Sequence, residues 1–209
     1  MSVLEKIAFL QHRRDEVPNQ LLAKELAESE DTAGIREIAD NLFNKDKNIS
    51  SDCLKVLYET GYIKPELIAP YAKDFLLLLN QKDNRKIWGA MIALGTTADL
   101  AHAEIAKGMD DVIRAVRDGS VITNLWGVRV MAKTLAHEPA QESKILPELL
   151  HILQVCVPRD VPTHLESMLP MINAGNKDRI LAIVETRKSA MTAAHLTRLK
   201  KALKAIDQM

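Results

Sequence analysis

Aromatic side chains make up only 4% of the 209 residues, and glycine and proline contribute eight each. A loop-rich β protein needs more turn formers than that. Ala, Leu, Lys and Glu dominate instead, so composition favours helix. The formal net charge is zero, against the strongly basic balance of a dedicated nucleic-acid binder. No uninterrupted apolar run approaches the roughly 18 residues that cross a bilayer; the longest, Phe75–Leu79, is five, so no membrane association is expected. Glu5 and Lys6 interrupt the first apolar stretch and its basic cluster comes afterwards, so Met1–Arg14 is not expected to be a signal peptide. Cys53 and Cys156 lie far apart with no spacing signature. They are expected to be reduced, partly buried thiols in a cytoplasmic protein.

Catalytic and ligand-binding signatures are missing as well. No H-E-x-x-H, C-x-x-C, Ca²⁺-loop carboxylate pattern or glycine-rich phosphate loop occurs. Ser120 follows Gly119 without a nucleophile elbow around it. The histidines are His12, His102, His137, His151, His164 and His195; no two lie at i, i+4, and none has an acidic or Cys neighbour at ligand spacing. Asp110 and Asp111 are adjacent in a helical stretch and so diverge by about 100°. Asp110 with Arg114 is expected to be an ordinary i, i+4 ion pair. No catalytic residue, cofactor or metal is therefore expected.

What is present is helix, many times over. In Asp83–Gly95, Ile87, Ala90, Met91 and Leu94 fall at i, i+3, i+4 and i+7, the spacing of one buried face. Asp83 is placed to cap the start, and Gly95 to end the helix in a left-handed turn. Prolines, glycines and capping residues divide the chain into about twelve such helices. These are a first over about Val3–Arg13, a second opened by Pro18, a third capped by Asp31 or Thr32, and a fourth from Ser50 or Ser51 to Gly61. A fifth runs from Pro65 to about Asn80, the sixth is the Asp83 helix, and a seventh runs from Asp99 to Gly119. Ser120 caps an eighth, Pro139 precedes a ninth, Pro162 opens a tenth, Gly175-Asn176 turns into an eleventh, and Thr192 caps the last. Sustained strand alternation is absent.

Three echoes point to an array of repeats. Ile87-Trp88-Gly89 returns as Leu125-Trp126-Gly127 after 38 residues. Ile68-Ala69-Pro70 has counterparts in Ile105-Ala106-Lys107, 37 residues on, and in Ile145-Leu146-Pro147 a further 40 on. Val128-Arg129 through Ala136 offers a different register, 41 residues after Ile87. Either spacing gives helix–turn–helix units of about 40 residues. Ile87 with Ala93-Leu94-Gly95 resembles the "A-x-x-A-L-G" ending of a HEAT-repeat first helix, with Trp88 where arginine is usual. The resemblance to the HEAT/armadillo-like helical repeat family extends from about Pro18 to Lys188. It implies an all-α, right-handed α-α superhelix of about five to six helix pairs. The whole of 1–209 would form one solenoid, with 1–17 and 190–209 as capping helices. Trp88 and Trp126 are expected to fill the layer between repeats rather than to stack a ligand.

In that family the second helix of each pair usually lines the groove. Here its solvent-facing candidates are Lys73, Asp74, Asp110, Arg114, Arg117, Glu148 and His151, mixed in sign as suits a protein or peptide partner. The resemblance also admits a nucleic-acid-binding or DNA-repair role of the HEAT-like glycosylase type, although a basic aromatic track is not evident. A third possibility it offers is a regulatory subunit or lyase-type chaperone. Charge is segregated by position: Asp15–Asp40 carries eight acidic against two basic residues, and Lys177–Lys204 eight basic against two acidic. The basic patch comprises Arg187, Lys188, Arg198, Lys200, Lys201 and Lys204. In a solenoid this makes an end-to-end dipole, which permits head-to-tail self-association.

Overall fold

The computed structural model describes residues 2–208, and among these it contains twelve α-helices and no strand. They are α1 (Val17–Ser29), α2 (Thr32–Asp40), α3 (Lys47–Ile63), α4 (Ala72–Leu78), α5 (Asn84–Thr97) and α6 (His102–Lys107). There follow α7 (Met109–Asp118), α8 (Val121–His137), α9 (Glu142–Val155), α10 (Val161–Met168), α11 (Lys177–Arg187) and α12 (Ala193–Asp207).

They form two layers. In the first, α1, α3, α5, α8, α10 and α12 pack directly on one another in chain order. Most of the second layer, α2, α4, α6 with α7, and α9, leans on the first, while α11 packs on α9; α2 with α4 and α7 with α9 make no comparable contact. In a curved stack the helices at smaller radius crowd together and those at larger radius splay apart. The α1–α3–α5–α8–α10–α12 layer is therefore the inner one of an α-α superhelix.

The repeat has a period of 37 residues. The caps Asp46, Asp83 and Ser120 are spaced by 37, and each side chain accepts a bond from a backbone N–H in the first turn. In the outer layer Ile35, Ala72, Met109 and Leu146 recur at the same interval of 37, all buried. So do Ile38, Phe75, Val112 and Leu149, and also Leu42, Leu79, Val116 and Leu153. In the inner layer Thr60, Thr97 and Thr134 repeat in the same way and are fully buried. The Ile68–Ile105 echo is thus in register. The tryptophans are one residue out of it, since Trp88 corresponds to Leu125 and Trp126 to Gly89.

Several boundaries differ from expectation for identifiable reasons. Residues 3–13 form a 3-10 helix at Val3–Lys6 followed by turns, with His12 in a left-handed conformation at φ 55°, so no first α-helix develops. Asp46 starts α3 before Ser50, whose hydroxyl donates instead to the Leu42 carbonyl. The stretch from Pro65 is two 3-10 turns before α4, and the equivalent bend divides the expected seventh helix into α6 and α7 at Gly108. Gly95 does not stop α5, and among the described residues no glycine has a positive φ. These glycines instead admit neighbours. A Cβ on Gly95 would overlap the Trp126 ring, and one on Gly127 would overlap the Val116 side chain.

Gly127 therefore tests the packing of the outer helix α7 on α8. Alanine is the better helix former by about 1 kcal/mol, yet Gly127→Ala is expected to cost roughly 1–3 kcal/mol net, because Val116 is stiff and buried. Combined with Val116→Ala, the loss should be smaller than the sum of the two single losses, measured by urea denaturation.

Candidate functional site

Helical periodicity on α3, α5 and α8 brings four of the eight aromatic residues into one strip on the inner layer. Tyr58 and Tyr62 lie one turn apart on α3, with ring centroids 6.2 Å apart and edge-on. Trp88 of α5 sits 5.9 Å from Tyr58, and Trp126 of α8 lies 5.7 Å from Tyr62. The Arg129 guanidinium lies 4.3 Å from the Trp126 ring centre, and Lys55 Nζ is 4.9 Å from that of Tyr58. Tyr58 is buried, both indoles are half-buried, and Tyr62 is 50% exposed, so the strip presents edges and faces to solvent. Gly95 creates the seat under Trp126.

Carboxylates accompany the cations. Lys55 Nζ lies 2.9 Å from Glu16 and 2.7 Å from Glu59; Arg85 lies 3.5 Å from Glu16, and Lys133 2.6 Å from Asp99. Burial alone would lower the Lys55 pKa, but the bonds to Glu59, Tyr58 and Glu16 outweigh it and raise the value. Burial raises the pKa of Tyr58 and Tyr62. Beside Trp88 and Tyr58 an open cleft of about 260 Å³ runs to Phe9 and Arg13–Glu16 of the N-terminal segment.

The seven groove candidates from the sequence all lie on outer-layer helices α4, α7 and α9. There, Asp110 meets Lys144 at 3.0 Å, Arg117 holds Glu148 through both nitrogens of its fork, and Arg114 joins Asp111 at 2.6 Å and also Asn80. The expected Asp110–Arg114 pair is thus replaced: Asp110 reaches Lys144 of α9, while Arg114 turns to Asp111 within α7 and to Asn80 of the preceding repeat. Asp110, Arg114, Arg117 and Glu148 surround an open cleft of about 390 Å³, which His151 adjoins and Lys73 and Asp74 do not.

At the C-terminal end, Arg198 forms a bidentate pair with Glu166 at 2.8 and 2.5 Å, Lys188 pairs with Glu185, and Arg187 donates to the Gln154 and Cys156 carbonyls. Lys200, Lys201 and Lys204 remain exposed. Acidic residues at the other end are similarly engaged, Glu25 by Lys6, Glu30 by Lys64 and Glu16 by Lys55. Local pairing thus reduces the end-to-end dipole.

Sequence spacing missed one grouping and one buried imidazole. His102 and His137 stack at 4.7 Å between centroids, with His102 Nδ1 2.7 Å from Glu138 and His137 3.4 Å from Asp99. Asp99 is thereby a partner of α8 rather than the cap of a helix. His164 on α10 is only 3% exposed and its Nδ1 has no partner in the chain. Burial pushes its pKa below the ordinary 6.5, with Asp160 partly opposing. Both thiols are free, and burial pushes Cys53 up to about 12 and Cys156 up to about 11. Among the described residues no group of three His, Cys, Asp or Glu side chains is placed to hold a metal, and no helix is long and apolar enough to cross a membrane.

No family model and no curated protein matches this sequence. Solved structures do. A designed armadillo repeat protein in complex with the peptide (KR)4 is 15% identical, covers 90% of this chain and 86% of its own, and superposes with a TM-score of 0.69. A second designed armadillo repeat protein is 14% identical over 98% of both chains, with a TM-score of 0.64. An engineered protein, 16% identical, covers all of this chain and 98% of its own at a TM-score of 0.66. At such identities the likeness concerns the fold, and the fold is an armadillo/HEAT-like helical repeat.

Two outcomes check the site's construction. Gly95→Ala should displace the indole of Trp126, and in a Trp88→Phe background its fluorescence emission should shift to the red; unchanged emission would show that the ring does not rest there. For His164 the depressed pKa fixes a sign. Below pH ~6.5 the unfolded chain takes up a proton that the folded chain refuses, so stability falls as the pH drops from there toward the depressed value. His164→Gln should flatten that part of the profile in urea titrations at pH 7.5 and 5.5.

Proposed function

We propose that this protein is a non-catalytic scaffold whose inner layer binds an extended segment of a partner protein along the strip formed by Tyr58, Tyr62, Trp88 and Trp126. The observation that carries this reading is the continuity of the strip over three successive inner helices, in a chain otherwise poor in aromatic residues. Partly exposed Tyr and Trp side chains with Arg beside them have the composition of an interface centre. Helical repeats stack such residues at regular intervals, which suits a chain lying across the helices.

The electrostatics favour protein over nucleic acid. A phosphate backbone calls for an excess of cations, whereas Lys55, Arg85 and Lys133 each have a carboxylate within 4 Å, and Arg129 stands on Trp126 without one. A peptide with apolar side chains for the rings and charges of both signs for Glu59 and Arg129 matches this surface. The similar designed armadillo repeat protein that holds the (KR)4 peptide is a precedent for peptide binding on this fold. On this reading the outer-layer residues Asp110, Arg114, Arg117 and Glu148 tie neighbouring repeats together, and Lys73, Asp74 and His151 flank them.

Selection from a displayed random-peptide library tests the reading. The wild-type chain should enrich a common motif with aliphatic, aromatic or proline positions. Trp126→Ala, and separately Tyr62→Ala, should weaken binding of the selected peptide by at least about tenfold, the 1–2 kcal/mol or more expected of an aromatic anchor. Enrichment of nothing, or of peptides indifferent to both changes, would remove the proposal.

A further inference from the structure

Two cations of the strip hold the same place in the repeat. Arg129 on α8 follows Lys55 on α3 by two periods of 37 residues. Each lies over an aromatic ring, Lys55 over Tyr58 at 4.9 Å and Arg129 over Trp126 at 4.3 Å. Their surroundings differ in one respect. Lys55 has Glu59, one turn on, at 2.7 Å, and Glu16, just before α1, at 2.9 Å. The position that matches Glu59, one turn beyond Arg129, is Lys133. Like charges four residues apart on a helix repel, so this change removes a partner and adds a competitor.

Carboxylates elsewhere in the repeat do not replace the missing one. Asp99, beyond the end of α5, is taken by Lys133 at 2.6 Å and by His137 at 3.4 Å. Glu166, one further period on along α10, has both oxygens held by Arg198 of α12. Among the described residues Arg129 thus has neither an ion pair nor a hydrogen bond, while Lys55, Arg85 and Lys133 are each paired. Its nitrogens are not closed off. The side chain is half-buried, yet none of its nitrogens is both buried and unpartnered, so the donors of the fork reach solvent.

An arginine on an open surface turns freely in solvent, but this one is stacked on an indole that itself rests on Gly95. The planar fork is thereby oriented before anything binds, which lowers the ordering cost of a two-pronged bond to a carboxylate. Burial and Glu59 raise the Tyr62 pKa while Lys55 and Arg129 oppose them, so the Arg129 charge reaches the most exposed ring of the strip. One unpaired cation matches one negative charge. A phosphate dianion calls for a second, and Lys55 and Lys133 are already engaged.

We infer that Arg129 is a specificity-determining residue of the strip: it receives the carboxylate of an aspartate or glutamate in the bound segment, as Lys55 receives those of Glu16 and Glu59. The inference rests on the reading of the strip as a protein-binding surface and adds to it a required acidic position. It is tested on the peptide selected with the wild-type chain. That peptide should carry Asp or Glu at a fixed spacing from its apolar positions. Exchanging this residue for Asn or Gln should weaken binding about fivefold, as for a bidentate pair at a partly exposed site. The same exchange should cost nothing further on the Arg129→Gln chain. Arg129→Glu should reverse the preference, so that a peptide with lysine at the acidic position binds more tightly than the parent. Altered packing of Trp126 would not produce that gain. A selected motif without an acidic position, or an acidic residue whose exchange costs the same on the wild-type and Arg129→Gln chains, would overturn the inference; sensitivity to Trp126→Ala and Tyr62→Ala would in that case keep the strip. Phosphoserine at the acidic position binding more than about tenfold tighter would put a phosphate in place of the carboxylate and overturn it too. Enrichment of no peptide would remove the strip and the role of Arg129 together.

Discussion

Close approach between consecutive inner-layer helices is the constraint on which everything else in this molecule depends. Each of α1, α3, α5, α8, α10 and α12 touches the next directly, and the outer helices up to α9 are carried on that spine, with α11 resting on α9. Helices of six or seven residues, such as α6 and α4, have no stability alone and exist because they cover it. The approach requires small residues at the crossings, which explains why Gly89 and Gly95 occur inside α5: one admits Leu54 of α3, the other the Trp126 ring of α8, while Gly127 admits Val116 of the outer helix α7. The period of 37 follows from the same demand, since a buried side chain must meet its neighbour's counterpart at every step.

That spine also arranges the charge. On the splayed outer layer long side chains bridge the gaps, and Lys144 with Asp110 and Arg117 with Glu148 each join α9 to α7. On the crowded inner layer flat rings pack between the helices, and carboxylates such as Glu16, Glu59 and Asp99 settle beside the cations among them. Exposed pairs of this kind contribute little stability individually, with a median of about 0–1 kcal/mol. Their effect is to leave few unneutralised charges along the strip, which bears on what the surface attracts.

How far the site could be read beforehand differs residue by residue. The helical character, the caps Asp83, Ser120 and Thr192 and the mid-chain echoes were legible, because each depends on a few neighbouring positions. Trp88 and Trp126 were visible as a pair, but their relation to Tyr58 and Tyr62 was not. Tyr58 and Trp88 are 30 residues apart and Tyr62 and Trp126 64 apart, so only the stacking brings them together. The His102–His137 stack and the unpartnered nitrogen of His164 were equally invisible, since burial and ring orientation are properties of the packed state. Choosing the groove side from the order of helices within a pair led to the outer layer, because that order does not say which layer is compressed.

Sequence by itself determined that the chain is all helix, that the helices come in pairs, and that no common reaction motif is written into it. Those features follow from local spacing, capping chemistry and composition, which act within a turn or two of helix. Tertiary structure alone decided the 37-residue register of the core, which layer lies inside, and which half-buried rings share a surface. These depend on contacts between residues one or more repeats apart, whose distances no local rule contains.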